Sequence, residues 1–300
     1  MTDICMCNVR PDPIPALICA FLLLFSMHSA AQIDFTTGKG YIQAQRKIHC
    51  SLKDNEPVTY TWQGRAYARV PGERDKLLFR VAGMNVRQCI TLNDAEKGEG
   101  YRMVSREIML YQDPKTGEIL RDWDNPWTGE KVKVLHVAND PVNGRPRFAL
   151  DRDGKERKFA PLVIDDVAFL TFEVPLFYTN VLGGDYQPYV GNTYHATEIF
   201  DFTGNIHDIA DQSKNTADIN VAWVRIAPWL PWMKMGGRSG LMYFNAVGKK
   251  LNSWDDLPAL LKDEIRANYP EYTSPPPGDD NRPNETSWTY FKKYIDGLEK

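Results

Sequence analysis

Glu107, Tyr111, His136 and Arg238 are the side chains of this 300-residue sequence whose types and setting suit proton transfer. Around Glu107 the residues alternate. On an extended strand Ser105, Glu107, Met109 and Tyr111 share one face, and Val104, Ile108 and Leu110 share the other. If the first set points into a closed sheet, it forms a partly polar cavity wall. A carboxyl desolvated there has a raised pKa and can act as a general base. If the same set faces water, Glu107 is an ordinary surface residue. Tyr111 and His136 complete the acid–base candidates. Arg238 offers a fixed fork of donors to a carboxylate, phenolate or carbonyl.

Aromatic residues crowd one segment. From Trp223 to Gly240 the chain reads WVRIAPWLPWMKMGGRSG. Pro228 and Pro231 forbid a regular central strand or helix across Trp229–Trp232. Trp223, Trp229, Trp232, Met233 and Met235 are therefore held on irregular backbone. Indole rings make flat apolar walls and Met fills irregular gaps. The segment either lines a ligand cavity or plugs the end of a barrel. Trp123 and Asn125 join it as ligand-binding candidates, although Asp124-Asn125-Pro126-Trp127-Thr128-Gly129 also reads as a turn.

No cofactor or metal is expected. There is no P-loop, no dinucleotide-binding glycine pattern and no HExxH. Gly236-Gly237-Arg238-Ser239-Gly240 lacks the spacing of a nucleophile elbow. His195 and Glu198 would share a face on a helix, but their surroundings read as strand, where they point apart.

The elements that must position these residues are mainly strands. Apolar residues at Tyr41, Ala44, Ile48 and Leu52 predict a short N-terminal helix over Thr37–Leu52. From Pro57 to about Val247, strand-like runs alternate with turn signals. Gln63-Gly64 separates Val58–Trp62 from Ala66–Val70, and Asp113-Pro114-Lys115-Thr116-Gly117 precedes Ile119–Trp123. Ser253 with Asp256 forms a capping box. The stripe Leu257, Leu260, Leu261, Ile265 predicts one C-terminal helix, and Trp288, Phe291, Tyr294, Ile295 predict another. The fold expected is mainly β: an antiparallel meander closing into a lipocalin- or calycin-like β-barrel, with a short N-terminal helix and two C-terminal helices. It forms a single domain over residues 32–300, helical from about residue 253.

The first 31 residues read as a signal peptide. Ala16–Phe25 is an unbroken apolar run, too short for the roughly 20 residues of a spanning helix. Arg10 precedes it, and Ser29-Ala30-Ala31 supplies small residues for cleavage after Ala31. Asp3 and Asp12 fit this less well; a start at Met6 would remove Asp3. The protein expected is periplasmic or secreted, with no stable membrane insertion after cleavage. Past that site only Cys50 and Cys89 remain, either paired in an oxidising compartment or buried as free thiols. The formal charge of −3 gives no basic surface for nucleic acid.

The run Pro231-Trp232-Met233-Lys234-Met235-Gly236-Gly237-Arg238-Ser239-Gly240 resembles the bacterial family called domain of unknown function 1838. So do Asn125-Pro126-Trp127-Thr128-Gly129-Glu130, Ala246-Val247-Gly248-Lys249-Lys250 and Leu257-Pro258. The resemblance spans roughly residues 40–270. It implies a shared fold and agrees with export, but it transfers no activity and no catalytic residue.

The function expected is binding of an apolar aromatic or polycyclic small molecule in a barrel cavity. As an enzyme it would be a cofactor-independent lyase or isomerase working by acid–base catalysis. The alternatives are a non-catalytic lipocalin-like carrier and an envelope interaction module.

Overall fold

Alternating apolar residues build the long strands, and glycines set how closely those strands approach. A computed structural model describes residues 31–184, 186 and 190–298; the segment expected to be a signal peptide, except Ala31, lies outside them. In chain order the elements are α1 (Gly38–His49), β1 (Val58–Arg69), β2 (Lys76–Asp94), β3 (Gly98–Gln112), β4 (Asp122–Asp124), β5 (Lys131–Lys133), β6 (Val137–Asn139), β7 (Arg147–Phe148), β8 (Leu162–Ile164), β9 (Val167–Thr179), β10 (Thr193–Asn205), α2 (Ile206–Ala210), β11 (Ile219–Ala227), β12 (Leu241–Leu251), α3 (Ala259–Asn268) and α4 (Ser287–Leu298).

The expected mainly β antiparallel meander is present. A ten-stranded sheet runs β6-β3-β2-β1-β12-β11-β10-β9-β8, with β7 also paired to β3. The path has two ends. Among the described residues no pairing joins β8 to β6, so the closed barrel is not detected.

One turn reading changes. Gln63-Gly64 is no turn: β1 passes straight through it, pairing with β12 on one side and β2 on the other. Gly64 serves close approach instead, since a Cβ there would lie 2.1 Å from the Asn245 carbonyl oxygen. β2 runs through Arg87 without interruption, continuous over 19 residues.

α1 and α4 match the apolar stripes that predict them, whereas the Ser253 capping box closes a separate 3-10 turn, Trp254–Asp256, and α3 starts only at Ala259. Thr37 caps α1, its hydroxyl accepting from the Gly40 amide at 3.0 Å. On the convex face Leu257, Leu261 and Ile265 pack on Met84, Val86, Ile108 and Leu110. Cys50, just past α1, is joined by a disulfide to Cys89 of β2.

The concave face is packed at both ends. At one end Phe79, Tyr111, Trp229, Trp232 and Met233 are buried together. At the other, Ile48, Tyr60, Phe202 and Val221 form a second buried cluster. The edges of the sheet come together through side chains. Arg147 of β7 lies over the ring of Phe172 of β9, 5.0 Å from its centroid. Trp288 of α4 packs at a tilt against Tyr194 of β10, ring centroids 4.3 Å apart.

Candidate functional site

Between the two buried clusters the inner wall turns polar. Each long strand presents its apolar residues inward at every second position, and several place one charged residue in that phase. On β2 the inward series Phe79, Val81, Gly83, Asn85 continues to Arg87. On β3 Ser105, Glu107, Met109 and Tyr111 face inward, while Ile108 and Leu110 pack under α3 on the other side. On β10 Glu198 stands between Ala196 and Phe200, and on β11 Arg225 stands between Trp223 and Ala227. The result is a belt of Arg87, Glu107, Glu198 and Arg225.

The belt is bonded across strands. Glu198 and Arg225 are direct register partners, and the guanidinium ion-pairs with the carboxylate. Arg225 also donates to the Tyr194 hydroxyl at 2.7 Å. Burial works against the Arg225 charge. Tyr194, Glu198 and Tyr111 more than offset it, and its pKa rises.

Glu107 has the most consequential environment. Burial, then the neighbouring Glu198 charge, pushes its carboxyl up to about 7, against the pull of Arg225, Arg87 and Asn139. β3 and β10 are separated in the sheet by β2, β1, β12 and β11. Their carboxyls interact because the sheet curls enough to bring opposite halves of its inner face together.

The belt is not filled. Trp62, Arg87, Glu107, Glu198, Phe200, Trp223 and Arg225 all remain half-buried, although the clusters on either side are closed. Trp62 lies flat against β2 because residue 83 is glycine; a Cβ there would meet its indole at 2.4 Å. Val174, paired with Glu198, is 37% exposed, so the β9 side of the belt is open to solvent. Two surface clefts, of about 450 and 320 Å³, sit further along beside Arg147 and Phe172; neither is lined by Glu107.

The sequence candidates separate into groups. Glu107 and Trp223 lie in the belt. Tyr111 is inward but buried under Phe79 and Trp232, and burial raises its phenol. His136 sits behind Tyr111: its Nδ1 accepts from the Tyr111 amide at 3.1 Å, and burial, then Arg121, lowers its pKa to about 4. That is a neutral backbone acceptor, away from the belt. Arg238 is exposed and pairs with Glu73 at 3.7 Å, so it too is outside.

Trp229, Trp232, Met233 and Met235 form the buried plug at one end of the cup. Trp123 packs on Trp232 at 6.1 Å. Asn125 fastens this plug: its side-chain amide donates to the Met233 carbonyl at 2.8 Å and its oxygen accepts from the Trp127 amide at 2.9 Å.

Glu198, Arg225 and Arg87 were not among the candidates. Their signal was a charge falling in phase with buried alternation. His195 and Glu198 point apart as expected, His195 being exposed. Among the described residues no cluster of three or more His, Cys, Asp or Glu could hold a metal ion, and no helix is long and apolar enough to cross a membrane.

Fold and site define a class: a curled antiparallel sheet whose concave face carries a partly open belt of titratable groups. The chain belongs to the family described as "Protein of unknown function (DUF1838)", whose model matches residues 55–295 and so takes in α4 as well as the sheet. No curated protein matches the chain.

Proposed function

We propose that the concave face binds a flat apolar small molecule, and that the Glu107 carboxylate acts on it as a general base without a cofactor. The observation that carries this reading is Glu107 itself. Its carboxyl is half-buried on the inner wall and pushed up to about 7, so near neutral pH it can both accept and return a proton. Trp62, Phe200 and Trp223 supply flat apolar surface around it.

The chemistry is proton abstraction beside a carbonyl. Glu107 takes the proton, and the C–H electron pair becomes the enolate. Return of the proton to another carbon completes an isomerisation; expulsion of a substituent from the β carbon completes an elimination. Arg225 and Arg87, whose charges bear on Glu107, take the electrostatic role first sought in Arg238.

In this reading the cup works as a barrel does, with α4 and the Arg147–Phe172 contact standing in for the missing strand pairing. The protein acts outside the cytoplasm. The apolar run Ala16–Phe25 and the Cys50–Cys89 disulfide, a bond kept in oxidising compartments, support that placement. A carrier is the second reading, favoured because Glu107 is the one acid–base candidate that is both half-buried and tuned near neutrality.

The test is proton exchange on aryl and polycyclic ketones in D₂O, followed by NMR alongside Trp quenching. Wild type should accelerate loss of the α-proton signal for at least one ketone. Glu107→Gln should slow it by roughly 100-fold or more without weakening quenching. Quenching with no exchange would make the protein a carrier, and no quenching by any ketone would end both readings.

A further inference from the structure

We propose that the natural ligand is an anion whose carboxylate seats between Arg87 and Arg147, at the α1 end of the concave face. This rests on the small-molecule reading above and names the chemical class that the same cup selects.

The charges facing this end do not balance. Arg225 is answered by Glu198. The Lys250 ammonium is held by the Lys47 and Cys50 carbonyls and by the Thr216 hydroxyl. Arg87 and Arg147 have no such answer. Arg87 donates to the Asn85 side-chain oxygen at 2.7 Å and lies 4.6 Å over the Tyr60 ring. Arg147 donates to the Gln45 side-chain oxygen at 2.8 Å and lies over Phe172. Among the described residues neither has a carboxylate within ion-pair distance. The carboxylate whose field reaches Arg87 is Glu107, which is only partly ionised near neutral pH.

Unpartnered polar atoms mark the same place. The Tyr101 hydroxyl and the His49 Nε2 are buried without a hydrogen bond, their residues 2% and 8% exposed. Both groups feel Arg87 and Arg147. Burial, then Arg147, Arg87 and Lys250, keeps His49 neutral; burial, opposed by Arg147 and others, pushes Tyr101 up to about 12. A desolvated Arg87 guanidinium beside unsatisfied polar groups is costly alone, and an anion entering between it and the cleft-lining Arg147 offsets that cost. A carboxylate matches guanidinium forks. Behind it the half-buried Phe172 and Phe200 offer rings to an apolar body.

The experiment is calorimetric titration of the native protein at pH 8. The probes are 2-naphthoic acid, 1-pyrenebutanoic acid and dodecanoic acid, each beside its primary amide. At least one acid should bind roughly tenfold or more tightly than its amide. Arg147→Gln and Arg87→Gln should each erase that advantage of acid over amide. Circular dichroism checks both variants. The wild-type acid–amide comparison needs no variant, so a folding failure at Arg87 leaves the test intact. Equal binding of acid and amide would overturn the anion assignment and keep the cup. No binding by any of the six would overturn the small-molecule reading itself.

Discussion

Glu198 and Arg225 stand directly opposite each other on β10 and β11 and pair inside the cup, their side chains 18% and 17% exposed. Partial burial makes this pair sensitive to the loss of one member. Arg225→Met leaves the Glu198 charge beside Glu107 with no cation against it. Urea unfolding at pH 7 should show a loss of about 2–4 kcal/mol. The double variant Glu198→Gln/Arg225→Met should recover part of it. A single-variant loss below about 1 kcal/mol would place the pair in a water-like setting.

Glu107 should make stability fall with rising pH. Its carboxyl titrates near 7 when folded, against the ordinary 4.5 when unfolded. The folded protein therefore binds more protons between those values, and stability declines as pH climbs from about 4.5 through 7. The full difference is up to about 3 kcal/mol. Glu107→Gln should remove this dependence and become the more stable form at pH 8. Unfolding curves at pH 5 and pH 8 that differ equally in both proteins would contradict the raised pKa.

The plug and its exposed neighbour should respond to very different degrees. Trp232 is 5% exposed and packs on Phe79, Tyr111 and Trp123. Trp232→Ala should cost about 3–5 kcal/mol. Arg238→Ala removes only an exposed pairing with Glu73 and should cost under about 1 kcal/mol, with probe binding unchanged. Weaker acid binding in Arg238→Ala would move the anion site to the plug end.

The Cys50–Cys89 disulfide closes a 39-residue separation between α1 and β2. A loop of that length stabilises by about 4 kcal/mol in the chain-entropy treatment. The Cys50→Ser/Cys89→Ser double variant should lose most of it in denaturant unfolding, and reductant should destabilise the wild type alone. No effect of reductant would mean that the two residues act as buried thiols.

The inner face was legible where alternation was clean. Ser105, Glu107, Met109 and Tyr111 could be placed on one side of a strand from spacing alone, and the aromatic content of Trp223–Gly240 marked the plug. Glu198, Arg225 and Arg87 were not legible as a group. Their meeting depends on strand register and on curl across the sheet, which local sequence does not encode. A charge interrupting an inward apolar series was the available sign. Arg238 drew attention only by adjacency to the Trp segment, and sequence neighbours past a tight turn need not share a side. Gly64 looked like a turn residue because a glycine for close strand approach and one for reversal read alike in a short window.

The central claim is that the belt, and not the plug, receives the ligand, and indole resonances test it most directly. The Trp62 and Trp223 indole nitrogens are buried without partners beside the belt, while Trp229 and Trp232 are packed in the plug. In a ¹⁵N–¹H spectrum of the native protein titrated with 2-naphthoic acid, Trp62 and Trp223 should shift and saturate together, while Trp229 and Trp232 stay fixed. Shifts confined to Trp229 and Trp232, or no indole shift at millimolar ligand, would contradict the account.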